Sequence, residues 1–138
     1  MKYLGLVILG LAGVIGILPF FTECSAVMTM ANGMTVPMKC HWTAIAELGM
    51  SIPLAGLGGM LFFGKRKETR QSLSILGAIL GVFVVLFPTT LIGVCASNMM
   101  ACRNLMLPAL VLSGILVIAA CATLFVSSFR MNELAAQA

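Results

Sequence analysis

Charge is scarce in this chain: eight lysines and arginines and four acids make up 9% of 138 residues, against roughly 25% in soluble domains. So few ionic groups cannot coat a water-facing surface, and an ordinary soluble fold is excluded. Aromatics are also few, at 7% with one tryptophan and one tyrosine. No basic stretch interleaves with aromatics, so nucleic acid is not a partner. A single histidine and the absence of any Cys-x-x-Cys exclude standard zinc spacings and the usual exchange-prone thiol pair. There is no nucleotide-binding loop or catalytic triad. An autonomous enzyme is therefore not expected, no catalytic residue is assigned and the sequence specifies no cofactor.

Apolar residues make up 61% of the chain, with a mean hydropathy of +1.13. They are gathered into four runs, at residues 3–21, 42–63, 73–94 and 104–129. About 20 apolar residues, rising about 1.5 Å each, cross a hydrocarbon layer of about 30 Å. The fold class is thus all-α, an integral membrane bundle of four transmembrane helices, with 1–138 as one four-helix transmembrane domain. Pro53, inside the second run, is expected to kink it.

Between the first two runs, Asn32-Gly33 lies between Val27-Met28-Thr29-Met30 and Met34-Thr35-Val36. A strong turn pair between alternating segments predicts a short hairpin. The link Gly64-Lys65-Arg66-Lys67-Glu68-Thr69-Arg70 sets the expected orientation. With it on the cytoplasmic side, Lys2 and Arg130 join it, leaving Lys39 and Arg103 outside, so both termini face the cytoplasm and both cysteine loops lie outside.

The halves echo each other. In each, a span bears a proline near its loop end (Pro19, Pro88), a cysteine opens the loop (Cys24, Cys95), Met-x-Cys closes it (Cys40, Cys102), and a second proline lies in the returning helix (Pro53, Pro108). Both halves have the same orientation, so the pattern reads as a parallel helix-loop-helix repeat.

Disulfide candidates are Cys24, Cys40, Cys95 and Cys102. Four cysteines permit three pairings, and the repeat favours Cys24 with Cys40 and Cys95 with Cys102. Two other readings use the same loops. One is thiol-disulfide exchange at Cys95 and Cys102. The other is a soft-metal site of Cu(I) type, with Cys40, His41, Met38, Met99, Met100 and Cys102 as ligands, since thiolate, thioether and imidazole suit soft ions. Cys121, deep in the fourth run, reads as a small packing residue.

Glu47 lies more than a turn inside the second run. An acid at the centre of a span costs about 2.5–3.5 kcal/mol on insertion scales and commonly faces the bundle interior. Cys40, Thr43 and Glu47 share one helical face. Thr43 is expected to hydrogen bond the carboxylate, with His41 or Arg103 as partners from the loops and Trp42 as the interfacial anchor. These residues, Glu47, Thr43, His41 and Trp42, form the candidate intramembrane polar site. The acid either fixes packing or meets a proton, a cation, a substrate or a partner subunit.

Cys40-His41-Trp42-Thr43 with Ala46-Glu47, inside four apolar spans and followed by the Cys95 and Cys102 loop, resembles an uncharacterised bacterial family of four-helix membrane proteins, a domain of unknown function. Its members tend to be encoded beside ABC transporters of macrolide-exporter type. The resemblance implies a transporter partner. The expectation is a non-enzymatic accessory or interaction subunit in the bacterial cytoplasmic membrane, contacting lipid and either an ABC permease or a second copy of itself. The alternative is an extracytoplasmic protein that handles thiols or soft metals.

Overall fold

The computed structural model describes residues 2–22, 27–64, 67–94 and 102–136. They form helices α1 (Lys2–Thr22), α2 (Lys39–Phe63), α3 (Lys67–Leu86) and α4 (Leu107–Ala136), with strands β1 (Val27–Thr29) and β2 (Thr35–Pro37). The segments Tyr3–Thr22, Lys39–Phe63, Thr69–Leu91 and Cys102–Phe129 are each long and apolar enough to cross a membrane. The chain is an all-α, multi-pass membrane protein.

Helix ends lie outside the apolar runs. α2 begins at Lys39 rather than Trp42, and α3 at Lys67 rather than Leu73. Hydropathy marks only the part that lipid can cover, whereas Lys, Glu, Arg and Gln propagate a helix well beyond it. α2 runs unbroken through Pro53, which lies on an exposed face. At its end, the Arg70 guanidinium donates from Nε and Nη2 to the Gly64 carbonyl at 3.2 and 3.1 Å.

α3 ends differently. Proline has no N–H and its ring crowds the preceding turn, and at Pro88 the helix widens into a π turn, Phe87–Leu91. The Thr89 hydroxyl donates to the Val85 carbonyl at 2.6 Å and the Thr90 hydroxyl to the Leu86 carbonyl at 3.2 Å. The amides of Ile92 and Gly93 both donate to the Phe87 carbonyl at 3.1 Å, and Gly93, at φ +77°, turns the chain out of the helix. A second π turn, Cys102–Met106, leads without a break into α4, and Pro108 is the second residue of α4.

The hairpin expected around Asn32-Gly33 is present. β1 and β2 pair antiparallel with Met28 opposite Val36, and Gly33 takes φ +75° at the turn.

α1 packs mainly on α2 and α3 on α4, and the two helical hairpins meet along α2–α3 and α1–α4. Their burial follows one register. Buried positions 5, 8, 12, 15 and 19 of α1 recur 69 residues later in α3, at 74, 77, 81, 84 and 88. Those of α2, at 47, 51, 54, 58 and 61, recur 63 residues later in α4, at 110, 114, 117, 121 and 124. At the start of these helices, 40 and 44 correspond to 102 and 106, an offset of 62. The second π turn takes up the extra residue. Pro19 and Pro88 are therefore equivalent; Pro53 and Pro108 each lie in the returning helix as expected, but at different positions of the register.

Crossings obey the same register with sizes exchanged. A Cβ on Gly16 would meet Ser51 Oγ at 2.6 Å, and at the equivalent crossing a Cβ on Gly114 would meet Val85 Cγ2 at 2.6 Å. Each hairpin keeps one glycine there, on opposite helices.

Candidate intramembrane polar site

The first turns of α2 build the site. Met38 precedes the helix without a side-chain cap, so its start depends on tertiary contacts. Cys40, Thr43, Ala44, Glu47 and Ser51 form its buried face. His41 is half-buried beside it, and Trp42 is exposed with its ring edge-on to His41 at 6.2 Å. Cys40, Thr43 and Glu47 thus share a face as their spacing predicts.

The hydrogen bonding differs from expectation. The Thr43 hydroxyl donates to the Gly93 carbonyl at 2.9 Å, with the Lys39 carbonyl at 3.3 Å. A threonine has one hydroxyl proton, and Gly93 takes it in place of Glu47. Glu47 is 0% exposed, and neither carboxyl oxygen has a hydrogen-bond partner among the described residues. His41 lies about 120° away around the helix, and Arg103 is exposed, so neither reaches the acid. The other buried hydroxyls face their own helices: Ser51 donates to Leu48 at 2.7 Å and Ser113 to Leu110 at 2.9 Å. Leaving a buried polar group unsatisfied costs about 1–3 kcal/mol, and more when it is charged.

Gly93 is the residue the sequence reading missed. Its signal was present, since a proline followed within a few residues by glycine marks a helix stop. What could not be read is that this stop delivers a carbonyl to Thr43.

The cysteines also separate. Cys40 and Cys121 are buried thiols, whereas Cys102, also buried, is disulfide-bonded. The expected Cys24–Cys40 bridge is therefore not present: Cys40 has entered the helix and packs on its buried face with Ala44 rather than standing in the loop. Cys24, Cys95, Met99 and Met100 lie outside the described residues. Among the described residues no three of His, Cys, Asp and Glu gather as they would around a metal. Of the other proposed ligands, Met38 is half-buried ahead of α2.

A family model described as a domain of unknown function, DUF4418, matches residues 6–126. The chain belongs to this family. The match runs from α1 to within α4, so the family spans both helical hairpins of this DUF4418 protein. No curated protein and no solved structure matches it.

Proposed function

We propose that this DUF4418 protein is a non-enzymatic accessory subunit of the bacterial cytoplasmic membrane that receives a transmembrane helix of a partner on its α1–α2 face. One observation carries the reading. A groove of about 460 Å³ runs between these helices, lined by Gly13, Gly16, Ile17, Leu48 and Ile52 among others. In the second hairpin the position equivalent to Gly13 is Val82, and a Cβ on Gly13 meets nothing within 4 Å, so the bundle architecture does not itself demand this glycine. Bare helix backbone allows close approach of a neighbouring helix in lipid, where packing replaces the hydrophobic drive.

The transporter neighbourhood implied by the resemblance makes an ABC permease the partner to test. The charge distribution supports an orientation with both termini cytoplasmic and the β hairpin outside. Affinity capture from native membranes, with the unsubstituted chain and Gly13→Val, tests the reading. A Cβ on Gly13 meets nothing within 4 Å, so the variant fills the groove without disturbing the bundle. A permease that co-purifies with the first and is reduced tenfold with the second supports the role. A chain captured alone, or only with copies of itself, removes the transporter.

A further inference from the structure

We propose that Glu47 is a proton-exchange site inside the bundle, reached from the end that bears the β hairpin and closed by the Thr43–Gly93 hydrogen bond. This goes beyond the accessory role, which concerns the outer face of α1 and α2.

The internal repeat supplies a control for the carboxyl. Position 47 corresponds to 110 in the shared register, and Leu110 fills its place at 1% exposure. At this level the architecture accepts an aliphatic side chain, so packing does not require an acid. Glu47 is nonetheless fully enclosed, with both oxygens unpartnered among the described residues. The grooves along α1–α2 and α3–α4 are lined by other residues. A proton is the ligand that needs no cavity.

The surroundings leave the carboxyl without a counter-ion among the described residues. Buried positions on the same half of α1 are Ile15, Pro19 and Thr22, on α3 Val84 and Pro88, and on α4 Met106, Leu110 and Ser113. None of these titrates. On α2 itself, Cys40 shares the face, with Lys39 and His41 at the helix start. At that end Cys102 is disulfide-bonded and Arg103 is exposed. Cys121 lies against Gly77, toward the opposite end.

Geometry gives the route. Side chains in a helix lean toward its N-terminus, so Glu47 points toward the hairpin end of the bundle. Thr43 stands one turn closer to that end on the same face, and its hydroxyl ties α2 to the second helical hairpin through Gly93. Breaking this bond parts the helical hairpins above the acid. A hydronium ion then donates a proton to a Glu47 oxygen, its own O–H bond breaking as the carboxyl O–H forms and leaving water. A later opening reverses the transfer, the carboxyl O–H breaking as a water molecule becomes hydronium and the carboxylate remains.

Dicyclohexylcarbodiimide, which adds to protonated carboxyls in apolar surroundings, reads this on the protein in phosphatidylcholine vesicles. One adduct is expected on the Glu47 peptide by mass spectrometry, absent from Glu47→Gln and decreasing as the outer pH rises. Its rate should increase at least threefold in Thr43→Val and stay unchanged in Thr43→Ser. No adduct on the unsubstituted chain, or a yield independent of pH, overturns the site. An unaltered rate in Thr43→Val overturns the closing bond. The primary measurement uses the unsubstituted chain and does not depend on any variant folding.

Discussion

Gly58 lies against the backbone of α1 beside Gly5: a Cβ on Gly58 would stand 3.1 Å from the Gly5 carbonyl oxygen and 2.9 Å from the Leu9 amide nitrogen. Both neighbours are backbone, so neither can swing aside. Gly58→Ala should destabilise the protein by about 1–3 kcal/mol through overpacking. Gly56, two residues earlier on an exposed face, meets nothing within 4 Å. Gly56→Ala should be neutral or gain up to about 1 kcal/mol, since alanine favours helix over glycine. Thermal unfolding in detergent compares the two, and equal effects would contradict the close crossing.

The exchanged glycines permit a sharper test. Gly16→Val should cost about 1–3 kcal/mol by driving a side chain into Ser51, whose Oγ lies 2.6 Å from the point a Cβ on that glycine would occupy. Adding Ser51→Gly copies the Val85–Gly114 arrangement and should restore most of the loss. A double-mutant cycle reads the coupling, expected at about 1 kcal/mol or more. Additive effects would mean that the two crossings are not equivalent.

Glu47→Leu places in α2 the side chain that α4 has at Leu110. Replacing a buried carboxyl that has no partner among the described residues by a fitting aliphatic group should raise stability by about 1–3 kcal/mol, seen as a higher unfolding temperature at neutral pH. A lower one would give the acid a packing role after all.

These expectations show where the sequence is readable. Four apolar runs announce four spans because a bilayer demands a fixed apolar length, and Asn32-Gly33 announces its turn because few residues accept positive φ. The shared face of Cys40, Thr43 and Glu47 follows from helical periodicity alone. Hydrogen-bond partners do not. Periodicity says which side of a helix Thr43 occupies, but not that Gly93, fifty positions along the chain, offers a carbonyl there. Likewise, loop spacing suggested a staple at Cys40, whereas the helix begins early enough to take that residue into the core. The π turn at Cys102–Met106 hid part of the repeat by inserting one residue, so Cys40 and Cys102 align at one offset and the deeper residues at another.

The cysteines supply the remaining prediction. Alkylation after denaturation without reductant should modify Cys40 and Cys121 and spare Cys102, in keeping with two thiols and one bridged sulfur among the described residues. In the folded protein Cys40, at 0% exposure, should react at least tenfold more slowly than after denaturation. Cys102→Ser should cost about 2–5 kcal/mol, the usual loss when a native disulfide is removed from a small domain. Non-reducing peptide mapping then identifies the residue bridged to Cys102. Full alkylation of Cys102 without reductant would remove the bridge, and with it the covalent tie at the start of α4.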